Sequence, residues 1–286
     1  MRWLVVGSHG MLGRDLVDRL ASDGDQVTAV GRDEIDITDP AAVLVAFPGH
    51  DVVVNCAAFT AVDAAEEQEA LAFAVNGVGA ANLARAASRH RVRLVHISTD
   101  YVFEGVAATP YAEDAPTAPR SAYGRTKLAG EWAVRALAPD HLIVRTAWLY
   151  GAHGSCFPKM VARLARSGGP LAVVTDQVGQ PTWTVDLVDL LVRLVRGGAP
   201  TGTYHGTSSG ETSRFDFTRA IVESIGIDPA IVSATTSDTF VRPAPRPAYS
   251  VLGHDVLTKA GVSPIGDWRD RWKVAADVVV GASAVR

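Results

Sequence analysis

Two cysteines and four lysines are all that the 286 residues hold of these types, and each scarcity excludes a class of protein. Cys56 and Cys156 are too few for a disulfide framework; Cys56 reads as a buried thiol inside an apolar strand, and a reducing cytoplasm fits the pair. The lysines form no basic block, the net charge is −4 and no aromatic-basic alternation occurs, so nucleic acid is not an expected partner. The eight histidines lack an i, i+4 pair beside carboxylates and no zinc-type Cys/His spacing occurs, so no metal site is legible. No segment reaches the roughly 18 uninterrupted apolar residues of a membrane helix. The opening Met1-Arg2-Trp3-Leu4-Val5-Val6 meets Gly7 too soon for a signal peptide. What remains is an ordinary soluble composition, 48% apolar and 20% charged, on a chain long enough for either one large domain or a nucleotide-binding domain with a smaller substrate domain.

Short runs rich in Val and Leu alternate with longer amphipathic segments. Strands are expected at 3–6, 26–30, 52–55, 94–98 and 142–145, and helices at 11–21, 40–46, 66–89 and 123–137. Nearly all-apolar strands separated by helices indicate a parallel sheet covered on both faces, which predicts an α/β fold with a doubly wound parallel (Rossmann) sheet. Past about Trp148, glycine and proline mark many turns, with a strand expected at 171–175 and helices near 185–196 and 215–225. The expected division is a dinucleotide-binding domain over 1–150 and a smaller substrate-binding lobe over 151–286, partly interleaved with the edge of the sheet.

Gly7-Ser8-His9-Gly10-Met11-Leu12-Gly13 directly follows the first strand and opens the first helix. Glycines at this spacing permit a tight turn, let backbone amides approach a pyrophosphate and bring helix and strand together, while the helix N-terminus favours an anion. His9 reads as a solvent-facing turn residue. After the second strand come Gly31 and Arg32, whose guanidinium suits the additional phosphate of NADPH; the adjacent Asp33 and Glu34 keep NADH open.

Tyr123 and Lys127 stand four residues apart on one face of an expected helix, a phenol with a cation placed to lower its pKa. This is the chemistry of a carbonyl reductase, although six tyrosines and four lysines produce such a pair by chance often enough that context has to decide. Context comes from 94–101, a strand whose carboxyl end delivers Ser98 and Thr99 where ligands of open α/β sheets gather. Alternation places Thr99 at the mouth, sharing the carbonyl oxygen that Tyr123 protonates.

Taken together, these residues resemble the extended short-chain dehydrogenase/reductases and, within them, the dTDP-4-dehydrorhamnose reductase family. The likeness runs through most of the chain in order: the glycine turn, Asp36-Ile37-Thr38, the stretch from Asn55 to Asp63, Ala74-Val75-Asn76, Ser98 to Phe103, Tyr123 to Glu131, Arg145 to Gly151, Asp176 to Thr182 and Arg242 to Pro247. The resemblance implies that Gly7, Gly10, Met11, Leu12 and Gly13 surround the cofactor pyrophosphate and that Asp36 and Ile37 lie at the adenine. Ala57, Ala58, Phe59 and Thr60 then run beside the ribose and nicotinamide. Tyr123 is implied as proton donor, with Lys127 holding the nicotinamide ribose and Thr99 tuning the network. Val62, Thr99, Asp100, Tyr101 and Trp148 are implied at the sugar, and Arg242 and Arg246 are candidates for charge-assisted contacts to the nucleotide diphosphate. The implied reaction is NADPH-dependent reduction of the 4-keto group of a dTDP-linked deoxyhexose, by a cytoplasmic monomer or homodimer.

Some members carry a magnesium ion at a dimer contact formed by glutamates; here Asp15 stands where an early Glu is expected, which leaves magnesium open. Dehydratases of the superfamily place an acid dyad after the strand-end Thr, whereas Thr99-Asp100 is followed by Tyr101. A non-catalytic regulatory subunit, resembling that of methionine adenosyltransferase, needs no Tyr/Lys pair, yet this chain keeps it. Reductases of antibiotic sugar pathways, of the dihydrostreptose type, remain an alternative within the same chemistry.

Overall fold

In the computed structural model of the protein, residues 1–281 are described. The first half builds β1 (Arg2–Val6), α1 (Met11–Ser22), β2 (Gln26–Val30), α2 (Pro40–Ala46) and β3 (Val52–Asn55). The helix expected over 66–89 starts earlier and is broken. It comprises α3 (Val62–Glu67), α4 (Glu69–Phe73), a π-helical turn at Ala74–Gly79 and α5 (Ala80–His90). Such a turn widens a helix where its side chains are used elsewhere, and here Asn76 reaches out of it to another loop. Then follow β4 (Arg93–Thr99), α6 (Ala122–Leu137) and β5 (His141–Thr146). Cys56, expected within the third strand, stands one residue beyond it; burial nevertheless pushes its thiol up to about 12.

The second half contains β6 (Leu149–Tyr150), α7 (Phe157–Arg166), β7 (Leu171–Val174), β8 (Val178–Gly179), β9 (Thr182–Trp183), α8 (Thr184–Arg196) and β10 (Gly202–His205). After them come β11 (Ser208–Ser209), β12 (Thr212–Ser213), α9 (Arg214–Ser224), β13 (Val232–Thr235), α10 (Asp255–Lys259), β14 (Ile265–Asp267) and α11 (Trp268–Val280). Among the elements that the sequence pattern missed are α7, α10, α11, the two- to four-residue strands β6, β8, β9 and β11 to β14, and β10. The last is a four-residue strand between a Gly/Pro turn at 197–201 and Gly206, too short for alternation to show.

The main sheet is parallel throughout, in the order β10-β5-β4-β3-β1-β2. Chain order reverses between β1 and β3, so the crevice for a ligand opens at the carboxyl ends of these strands. On one face, α1 and α8 pack Leu16, Leu20, Leu187 and Leu191 against Trp3, Val5 and Val54 of the sheet. On the other, Leu83 of α5 and Val134 of α6 meet Leu4, Val53 and Ile143. Each of these fully buried leucines contributes about 1.5–3 kcal/mol. Both α8 and β10 lie beyond residue 150, so the later chain returns to complete the sheet and one of its covering layers. A separate core of Tyr150, Phe217, Trp268 and Trp272 holds α7, α9 and α11 together.

Candidate active site

The glycine turn is built as tightly as its composition allows. Gly7 has φ +79°, and a Cβ there would lie 2.6 Å from the Ala57 amide nitrogen; a Cβ on Gly13 would run into the Gly7 carbonyl oxygen. The turn is pinned to β2 by Gly7 and Ser8 amides donating to the Val30 carbonyl at 2.9 and 3.1 Å. Gly10 caps α1 without a side-chain acceptor, so the first-turn amides of Met11 and Leu12 have no intrahelical partner. At the end of β2, Glu34 is folded back to accept the Gly31 amide at 2.7 Å, while Arg32 is exposed and has no ion pair among the described residues. His9 is exposed, with its ring over Gly31. Asp36 accepts the Thr38 amide and hydroxyl, and the buried Ile37 presses on Gly79.

After β3, Ala57, Ala58 and Phe59 are half-buried and Thr60 exposed. Asn76, itself buried, holds this loop: its Oδ1 accepts the Phe59 amide at 2.8 Å, and its Nδ2 donates to the Phe59 carbonyl and the Thr126 hydroxyl, both at 3.1 Å. One asparagine thus ties the loop to α6. Asn76 stood inside a motif of the sequence, but its task depends on two segments that are 17 and 50 residues away.

Helix α6 begins at an N-cap Ser121 that accepts the Gly124 amide at 3.1 Å, while Glu66 accepts the Ala122 amide at 2.8 Å. Tyr123 therefore sits in a fixed first turn, edge-on to Tyr101 at 5.6 Å between ring centroids. The sequence assigns Lys127 a lowering effect on the phenol; the folded chain departs from this. Lys127 is buried and donates to the Ile97 carbonyl at 2.6 Å. Burial raises Tyr123 above the usual phenol range, and the group acting against this is the neighbouring Thr99 hydroxyl. Burial also lowers Lys127 to about 8, with Glu131 opposing that fall. Tyr123 is consequently a protonated phenol throughout the neutral range, the state a proton donor requires.

Ser98 and Thr99 separate in the fold. The Ser98 hydroxyl donates to Glu131 at 2.6 Å, away from the tyrosine, whereas Thr99 donates to Asp100 at 2.9 Å and accepts the Tyr101 amide at 3.2 Å. Beneath the pair lies a buried bidentate ion pair, with Arg145 donating to both Glu131 oxygens at 2.8 Å. Glu131 continues the Tyr123-Lys127 spacing by another four residues, a signal the sequence did carry.

Asp100 is 2% exposed, and its Oδ2 has no hydrogen-bond partner among the described residues. Burial raises it to about 6 from 3.8. A raised acid costs stability once it ionises in the fold: nothing below the unfolded pKa near 4, and the full amount above about 6. Two pKa units correspond to about 3 kcal/mol. Asp100→Asn is therefore expected to stabilise the protein by up to about 3 kcal/mol at pH 7–8 in urea unfolding, with the difference vanishing near pH 4. An unchanged difference across that range would show that ionisation of Asp100 is not the cause.

On the substrate side, Trp148 is half-buried with φ +46°, backed by Gly179, where a Cβ would lie 2.6 Å from the indole. Val62 is half-buried at the start of α3. Of the two arginines of the proline-rich loop, Arg246 pairs with Asp63 at 2.7 Å, whereas Arg242 is exposed and lies 3.9 Å from the same carboxylate, beyond hydrogen-bond reach. The guanidinium that lies over Trp148, at 3.5 Å from the ring centroid, belongs to Arg214. No motif pointed to it. A cleft of about 590 Å³ bounded by Glu113, Arg145 and Lys259 is elsewhere, and its lining includes neither Tyr123 nor Lys127. Asp15 faces His153 at 3.5 Å, and among the described residues no three His, Cys, Asp or Glu side chains are grouped to hold a metal ion. No helix among them is long and apolar enough to cross a membrane.

The chain matches the family model described as the RmlD substrate binding domain over residues 1–280. It is 48% identical over 284 residues to the dTDP-4-dehydrorhamnose reductase of Mycolicibacterium smegmatis, covering 99% of this chain and 87% of the relative. To the dTDP-4-keto-6-deoxy-D-glucose reductase of Streptomyces niveus it is 49% identical over 270 residues, 93% of each. The crystal structure of the dTDP-4-dehydrorhamnose reductase of Bacillus anthracis in complex with NADP is similar at a TM-score of 0.92 and 33% identity, over 96% of this chain and 98% of that one.

Proposed function

The chain belongs to the family of the RmlD substrate binding domain, and on that premise we propose that it is an NADPH-dependent reductase of the 4-keto group of a dTDP-linked 6-deoxyhexose, converting dTDP-4-dehydro-L-rhamnose to dTDP-L-rhamnose. The observation that carries the reading is the meeting of Tyr123, Lys127 and Thr99 at the carboxyl end of β4, on the sheet whose first turn is a glycine cradle.

The cradle fits a dinucleotide, because Gly7 and Gly13 leave room for nothing larger than backbone and the α1 amides stand uncapped. When bound, the dinucleotide supplies the hydride. Met11 and Leu12 amides hold the pyrophosphate, Arg32 the additional phosphate of NADPH, Asp36 and Ile37 the adenine, and 57–60 the ribose side. Tyr123, kept protonated by burial, donates to the nascent alkoxide at C4 of the sugar. Lys127 anchors the nicotinamide ribose, and Thr99 positions the phenol. Val62, Asp100, Tyr101 and Trp148 face the sugar, and residues after 150 supply the rest of the substrate side. Such an enzyme works in the cytoplasm, as a monomer or homodimer.

A second substrate is favoured by a specific observation: the Streptomyces niveus relative, named for dTDP-4-keto-6-deoxy-D-glucose, is as similar as the relative named for dehydrorhamnose. The test is NADPH absorbance with each dTDP-keto-sugar in turn, with product stereochemistry by NMR. Oxidation of NADPH with dTDP-4-dehydro-L-rhamnose and a rhamno-configured product is expected. Faster turnover of the gluco substrate would transfer the assignment to it, and no oxidation with any nucleotide keto-sugar would sink the reductase reading.

A further inference from the structure

Arg214 opens α9, and only its backbone is engaged: its amide donates to the Gln177 carbonyl at 3.0 Å and its carbonyl accepts the Thr218 hydroxyl at 2.8 Å. The guanidinium makes no hydrogen bond or ion pair with any described residue. It is half-buried, stacked over Trp148 and 4.7 Å from the Phe157 ring centroid. Other arginines are matched, since Arg246 pairs with Asp63, Arg145 with Glu131 and Arg271 with Asp186. Its donors are partly withdrawn from water and matched by no acceptor among the described residues, so they are available to a ligand.

A second observation concerns the platform. Trp148 is the one described non-glycine residue besides Arg91 with positive φ, a conformation costing roughly 1–3 kcal/mol. Its indole packs close to Gly179 and carries the guanidinium on its face. Strain of this kind persists where surrounding contacts hold a side chain for use. Arg214 lies over Trp148, a residue assigned to the sugar, and its charge acts on Asp100, another such residue.

The ligand chemistry follows from the donors. A planar fork of N–H groups on an aromatic face selects an anion with several oxygen acceptors. Arg242 and Arg246 add positive charge on the same side, against the negative charge of Asp63 and Asp100. We propose that Arg214, with Trp148 as its platform, receives the diphosphate of the nucleotide-sugar substrate. This assignment rests on the reductase reading for its substrate class. It makes Arg214 the principal diphosphate contact, ahead of Arg246, whose donors are spent on Asp63 and the Ala244 carbonyl, and of the exposed Arg242.

Calorimetry with thymidine diphosphate and with thymidine, on the full chain and on Arg214→Met and Arg214→Lys, tests it. Loss of a charge-assisted fork is expected to weaken thymidine diphosphate about 10- to 100-fold in Arg214→Met, with thymidine and NADPH within twofold of wild type. The lysine variant, which keeps charge but loses the fork, is expected between the two. Equal weakening of thymidine and its diphosphate overturns the proposal, because Arg214 then only supports Trp148. Unchanged diphosphate affinity in a protein that reduces a dTDP-keto-sugar overturns it and leaves the reductase reading standing. Diphosphate binding that depends on Arg214, in a protein that reduces no keto-sugar, supports it and removes the reductase reading.

Discussion

Tyr123→Phe is expected to lower kcat roughly 100-fold or more while NADPH affinity stays within about twofold. The substitution keeps the ring edge-on to Tyr101 and the buried volume of the first turn of α6, so its effect isolates the hydroxyl. Because burial holds the phenol above its usual range, the wild-type rate should show no titration of Tyr123 near neutrality. A loss with rising pH is expected instead from Lys127, near pH 8. Single-turnover absorbance at 340 nm and fluorescence titration with NADPH separate the two quantities. Near-normal turnover in the variant would take the proton-donor role away from Tyr123.

Removing the charge of Glu131 is expected to destabilise the protein strongly. Glu131→Gln leaves Arg145, 1% exposed, without its carboxylate, and an uncompensated buried charge of this kind costs about 3–5 kcal/mol. The folded carboxyl is held below the ordinary range by Arg145 and the Ser98 hydroxyl, against its burial. Its contribution is therefore complete above the unfolded pKa near 4.5 and disappears as pH falls through the lower folded value. Urea unfolding at neutral pH and again at acid pH measures the difference between variant and wild type, which should shrink on acidification. The same change should lower the pKa of Lys127 below about 8, since Glu131 is the charge that raises it. A variant within about 0.5 kcal/mol of wild type at neutral pH would show that the pair is replaceable.

What the sequence determined by itself is what short range governs. The glycine turn follows from seven consecutive residues, the Tyr123-Lys127 pair from one helical turn, and the strands β1, β3, β4 and β5 from runs of mainly apolar side chains that the fold buries, while the edge strand β2 is largely exposed. Tertiary structure decided the rest, because each remaining feature joins segments whose spacing carries no period. Asn76 clamps a loop 17 residues before it to a helix 50 residues after it. Strand β10 pairs with β5 across 60 residues, and no local pattern announces four residues between turns as the edge of a sheet. Lys127 could be placed on the face of Tyr123 from sequence, but its turn toward the Ile97 carbonyl depends on where β4 lies under α6. Arg214 was invisible for the same reason: among many arginines, only the fold shows which are matched by a carboxylate and which is laid over Trp148, 66 residues earlier in the chain, with its donors unspent.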